Sequence, residues 1–167
     1  MCLQIMPDLR VVVRTPIRMP QYRIDEFVQE KSAWINKHLE LAKARRQNAL
    51  PPLSIEQKNQ LKTDAKAYLS DCTAKYATVM NVTYSGIRLG FQRTRWGSCS
   101  SKGMLSFNCL LMLCPPQVRD YVVVHELSHR KEMNHSARFW AIVERYVPDY
   151  KLCRKWLRTN GQALMNP

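Results

Sequence analysis

The chain has 167 residues, long enough for one compact domain with a real core, and its 46% hydrophobic share with 5 glycines and 9 prolines excludes a low-complexity chain. Lys and Arg number 26 against 13 Asp and Glu, a formal charge of +13 that favours polyanions or anionic partners. No apolar run reaches the length of a bilayer span or of a signal-peptide core, so no membrane role and a cytoplasmic location are expected.

Residues 3–5 and 11–14 lie either side of Pro7-Asp8 and read as a short hairpin, because Val11 to Val13 are β-branched and a Pro-Asp pair favours a turn. After Pro20, Ile24, Phe27, Val28, Trp34, Ile35, Leu39 and Ala42 recur at helical spacing. That pattern predicts a single amphipathic helix over 24–46, ending near the basic Lys43, Arg45 and Arg46. Pro51-Pro52 marks a boundary between an N-terminal hairpin-plus-helix extension, 1–50, and a core, 51–167.

Ser54 followed by Gln57 is a capping-box pattern that opens a second long helix, to about Met80. Gly86 and Gly90 end any helical reading; 87–96 and 104–113 suit two strands of a hairpin, with Gly97 to Gly103 as its loop. Pro115-Pro116 suits the first turn of a third helix, running to about Glu132. Asn134 is placed to stop it in the left-handed conformation, and Ser136 to cap the next helix, 137–146. Pro148 separates that helix from a last one, 149–160, which completes an α+β arrangement. Six cysteines (Cys2, Cys72, Cys99, Cys109, Cys114 and Cys153) form no C-x-x-C pair and read as free thiols of a reducing compartment.

His125-Glu126-Leu127-Ser128-His129 matches H-E-x-x-H. Residues four apart on a helix share a face, so both imidazoles can reach one ion, and Glu126 is free to take a proton from a water activated there. A catalytic zinc site needs a third protein ligand and an open position. His135 supplies it if the chain turns back at Met133-Asn134; its spacing from His129 equals that of the H-E-x-x-H-x-x-G-x-x-H zincins, with Glu132 in place of their glycine. Glu144 is the fallback ligand. The histidines could instead be core residues bonded to backbone, since Val118 and Val122 share their face, but three of the chain's 4 histidines fall within this one segment, in register with a glutamate. His38 stands apart and reads as a surface residue. Arg93, Arg95, Tyr121 and Tyr146 are all candidates to stabilise an oxyanion. Arg93 and Arg95 are expected to share a strand face with Ile87, Leu89 and Phe91.

Three segments, RWGSCSSKGMLSFN at 95–108, DYVVVHELSHRKEMNHSARFW at 120–140 and PDYKLCRKWL at 148–157, resemble the YgjP-like family of metal-dependent hydrolases, relatives of SprT-like and other zincin metallopeptidases. The resemblance implies a minimal zincin-like fold, with a small antiparallel sheet packed on an active-site helix and further helices around it. It also implies His125, His129 and His135 as ligands of Zn²⁺ and Glu126 as the catalytic glutamate. Family members carry a further strand region after the first helix, where this chain has only about residues 47–53.

Three functions compete, of which a metallopeptidase is the leading reading. A metallopeptidase would lay an extended peptide beside an edge strand, for which 104–112 is the candidate. A nucleoside triphosphate phosphohydrolase would use Arg93, Arg95, Lys102 and Arg130 on its nucleotide. A nucleic-acid-associated protein with a structural zinc would use a basic stripe of Lys151, Arg154, Lys155 and Arg158, with Leu152, Trp156 and Leu157 turned inward. An open three-histidine site beside a free glutamate argues against a structural ion.

Overall fold

The computed structural model describes residues 1–6, 8–47 and 52–165. Pro7 of the expected turn and Pro51 of the expected boundary lie outside the described residues. Two compact units divide the chain, Met1–Ala49 and Leu50–Pro167.

In the first unit β1 (Cys2–Ile5) and β2 (Val11–Arg14) pair antiparallel, with Ile5 opposite Val11, as the β-branched run predicts. Their turn holds Leu9 at φ 71, and the Asp8 carboxylate accepts from the Arg10 backbone N–H and guanidinium. The single helix expected over 24–46 is in fact two, α1 (Gln21–Glu30) and α2 (Ser32–Gln47). The ladder reaches Lys31, whose N–H donates to Phe27 O, and resumes where Ile35 N–H donates to Lys31 O. Lys31 itself sits at φ −92, ψ 6, and Ser32 after it is a weak helix former. A hydrophobic repeat does not register one residue's ψ, so the pattern runs straight through the break.

The second unit opens with α3 (Ile55–Met80), whose capping box is formed: Ser54 Oγ accepts from Gln57 N–H while Gln57 Oε1 accepts from Ser54 N–H. Asn81 ends it at φ 52, in the left-handed region Asn tolerates. Ala65, Leu69, Thr73, Ala77 and Met80 form its buried face.

The strand region departs from the hairpin read in the sequence. It holds β3 (Gly86–Gly90), β4 (Gly97–Cys99) and β5 (Met104–Asn108) in the order β3-β5-β4; β3 runs parallel to β5, and β4 is its antiparallel neighbour. Residues 97–99 of the expected loop are therefore a strand, and the turn is only Ser100 to Gly103, with Gly103 at φ +79. The first strand stops at Gly90, not Trp96, because Asn108, fully buried, draws the carbonyls of Gln92 and Arg95 onto its Nδ2 and holds 91–96 as a loop. Arg93 and Arg95 consequently share no strand face with Ile87 and Leu89. The expected second strand also ends early: Asn108 Oδ1 accepts from Leu110 N–H and starts a 3₁₀ turn, Cys109–Leu113.

Next comes α4 (Pro116–Ser128), with Pro116 in its first turn as expected. It ends four residues before Glu132, through successive backbone turns in which Arg130 N–H reaches Leu127 O and Lys131 N–H reaches Ser128 O. The left-handed stop expected at Asn134 is not used, since the only non-glycine residues with positive φ among those described are Leu9 and Asn81. Ser136 caps α5 (Ala137–Tyr146) by accepting from Phe139 N–H, and α6 (Tyr150–Met165) follows, longer than the pattern predicts. The core collects Leu69 and Met80 of α3, Leu105 and Phe107 of β5, Val123, Val124 and Leu127 of α4, and Phe139 and Val143 of α5. All six cysteines are free. The α+β reading holds, and no helix of the described residues is long and apolar enough to cross a membrane.

Candidate metal centre

Val118, Tyr121, Val122, Val123, Val124 and Leu127 are buried on nearly every side of α4, so its polar residues are carried into the interior by a helix the core grips all round. His125 and His129 leave it on one face, and the turn after Ser128 brings His135 back beside them. The ligand-capable nitrogens of the three lie within 4.8 Å of one another. Nε2 of His125 stands 3.1 Å from Nε2 of His135. His129 turns its Nδ1 to the Glu132 carbonyl at 3.2 Å, which fixes that ring and leaves Nε2 facing the cluster.

Phe139, fully buried, is the floor: its ring lies 4.8, 4.6 and 4.7 Å from the rings of His125, His129 and His135. Trp140 flanks His125 and His135 at 5.8 and 5.7 Å, stacks on Tyr150 and carries the Arg154 guanidinium 4.8 Å over its ring. Burial, reinforced by the neighbouring His129 and His135, pushes the His125 imidazole down to about 3. Burial also lowers His129, with the Glu132 carbonyl acting against it. Neutral imidazoles that converge in this way have the chemistry of a borderline-soft cation's donor set. Nδ1 of His125 is buried with no hydrogen-bond partner among the described residues.

Glu126, 5% exposed, turns toward β4. Burial raises its carboxyl to about 8, and Arg95 works in the opposite direction. A Cβ at Gly97 would stand 2.6 Å from Oε1 of Glu126, so only glycine lets this strand pass so close to the carboxyl.

The family model of the YgjP-like metallopeptidase domain matches residues 1–61 and 54–160. The chain belongs to the YgjP-like family. Among solved structures it is similar to the metallopeptidase zymogen abylysin of Pyrococcus abyssi, with a TM-score of 0.51, 19% identity, and 55% of this chain and 93% of that one covered. A second is the metallopeptidase zymogen jannalysin of Methanocaldococcus jannaschii, with a TM-score of 0.46, 20% identity, and 55% and 95% covered. The likeness to abylysin shows a shared zincin-like fold. No protein of curated function matches the chain.

The other candidates of this YgjP-like chain are dispersed. Glu144 lies outside the histidine cluster and pairs with Lys151 at 3.5 Å. His38, in the first unit, is half-buried and stacks on Trp34 at 4.0 Å. Of the four oxyanion candidates, Tyr121 meets the edge of the His125 ring at 5.8 Å, and its hydroxyl is pushed up to about 12 by burial. Arg95 acts on Glu126, Arg93 stands in the 91–96 loop, and Tyr146 lies under the Arg145 guanidinium at 5.8 Å. The basic stripe on α6 is partly committed, Lys151 to Glu144 and Arg154 to Trp140. Leu152 does not turn inward but is 66% exposed, because the face α6 buries is set by Tyr150, Cys153 and Gly161, and Leu152 falls beside it. Phe139, Trp140 and Gly97 escaped the sequence reading as parts of the site. An aromatic pair three and four residues after Ser136 was the available signal for the first two, but only packing shows which rings they face.

Proposed function

We propose that this protein is a zinc-dependent metallopeptidase in which His125, His129 and His135 hold the ion and Glu126 is the general base. The observation that carries the reading is the convergence of the His125 and His129 imidazoles, both lowered by burial, with His135 from the turn beyond α4, next to a buried carboxyl raised to about 8 at Glu126. Bound Zn²⁺ supplies Lewis-acid polarisation of a carbonyl and lowers the pKa of a water. Glu126 takes the proton of the attacking water and returns it to the leaving amine; a carboxyl made more basic by burial suits both steps near neutral pH. Phe139 holds the imidazoles on one side, and Gly97 leaves room for the carboxyl to turn.

The strand 104–112 cannot seat a peptide, because β5 is the central strand of the sheet and both its edges are already paired. The place passes to β4, an edge strand that packs on α4 and runs past Glu126. We take 1–50 as an extension to a catalytic core of 51–167; the division of contacts at Ala49 supports that. An open donor set beside a free glutamate supports a catalytic rather than a structural ion.

Elemental analysis of the purified protein is expected to find about one zinc per chain, lost in His125→Ala and His129→Ala. Glu126→Gln is expected to keep zinc and fold while lowering peptide hydrolysis by about 10²-fold or more. Unchanged turnover in Glu126→Gln sinks the general-base role, and zinc retained by His135→Ala but lost in Glu144→Ala moves the third ligand.

A further inference from the structure

The sheet has a second face, directed away from α4. Leu105 and Phe107 of β5 point into the core, so Met104 and Ser106 point out. Pairing aligns Arg88 of β3, Ser106 of β5 and Ser98 of β4 in one row across that outer face. The row lies in a concavity of about 620 Å³ that Arg95, Lys102 and Ser85 also line, and no carboxylate is among its lining residues. Arg88, Arg95 and Lys102 take part in none of the ion pairs among the described residues. Three unpaired cations and several hydroxyls thus converge on one opening.

β4 connects this face to the candidate centre. Asn108 N–H donates to Trp96 O and Ser100 N–H to Met104 O, each at 2.9 Å, so the alternate residues Gly97 and Cys99 direct their backbone groups away from β5, toward the open edge. The bare side of Gly97 faces Glu126, whereas Ser98 lines the cationic concavity. A peptide added to this edge would project successive side chains alternately toward the Glu126 side and toward the concavity, with Arg88 at its far side on β3.

We propose that the outer face of the β3-β5-β4 sheet is a specificity subsite for an acidic side chain of an extended peptide bound along β4. This rests on the peptidase reading above and adds the substrate class: segments carrying Asp or Glu, one residue out of phase with the side chain that faces Glu126. Arginine offers a carboxylate paired N–H donors, and the serine hydroxyls complete the shell.

The test walks Glu, Ala or Lys through each position of a fluorescein-labelled peptide set, measuring cleavage by the zinc-loaded wild type and binding to zinc-loaded Glu126→Gln. Glu is expected to exceed Ala by at least about tenfold in kcat/KM and in affinity at one position, with Lys lowest and the preference shrinking as salt rises. In R88Q/K102Q, which leaves Arg95 in place, the Glu-to-Ala ratio is expected to fall at least about threefold toward 1. Peptides cleaved with no acidic preference overturn the subsite and leave the peptidase reading standing. Acidic peptides bound through Arg88 and Lys102 but never cleaved uphold the subsite and overturn that reading, and peptides neither bound nor cleaved overturn both. Displacement by a nucleoside triphosphate, with no effect of peptide acidity, assigns the face to phosphate and also overturns the proposal.

Discussion

On α4, Asp120 and Glu126 stand six residues apart on different faces of one helix. Asp120 accepts from Tyr68 Oη at 2.7 Å, from Cys72 Sγ at 3.3 Å and from Tyr76 Oη at 3.4 Å, all on α3. Burial raises those three donors, and the Asp120 charge raises them further, Tyr76 to about 12. Glu126 is more deeply enclosed, yet its carboxyl is shifted by burial with Arg95 opposing, and no hydrogen bond from the described residues steadies it. The carboxylate that joins two helices is surrounded by donors, whereas the one beside the histidines is left open. A carboxylate ringed by donors braces two helices, whereas one without them keeps its lone pairs for other partners, so the contrast separates a group that builds the fold from one free to react.

The largest effect is expected where the open carboxyl is crowded. Gly97→Ala puts a Cβ at 2.6 Å from Oε1 of Glu126, and displacing that carboxyl by an ångström or so should lower peptide hydrolysis by about 10²-fold while zinc content stays at the wild-type level. Loss of zinc together with activity would mean that the glycine serves the histidine cluster instead.

Opposite signs of stability test the contrast itself. Asp120→Ala strands the α3 hydroxyls and should destabilise the protein by about 1–3 kcal/mol in urea unfolding, with zinc stoichiometry retained in the folded fraction. Glu126→Gln replaces a buried carboxyl, raised by burial and without a hydrogen-bond partner among the described residues, with a neutral amide, and its unfolding midpoint should be equal to or above wild type. If the two variants destabilise equally, the carboxyls are alike and the distinction fails.

The smallest effects grade the network. Tyr68→Phe removes the bond at 2.7 Å and Tyr76→Phe the one at 3.4 Å, so the first should cost about 1 kcal/mol and the second about 0.5 kcal/mol or less. A reversed order would show that ring packing, not the hydroxyls, ties α3 to α4.

What the sequence determined by itself was local. The capping box of Ser54 and Gln57, the cap at Ser136 and the shared face of His125 and His129 each need only residues within about a turn of one another, and all are found. The two breaks the pattern overran, at Lys31 and after Ser128, depend on backbone angles that leave the hydrophobic repeat unchanged. Only the tertiary structure decided the order β3-β5-β4, with its parallel pair, because a strand's alternation says which face is buried but not which neighbour it meets. Asn108 drawing 91–96 into a loop, Gly97 yielding to Glu126, Phe139 under three imidazoles and Asp120 gathering three donors from α3 are contacts between segments distant in the chain. Such contacts are set by how the layers pack, which no local spacing encodes.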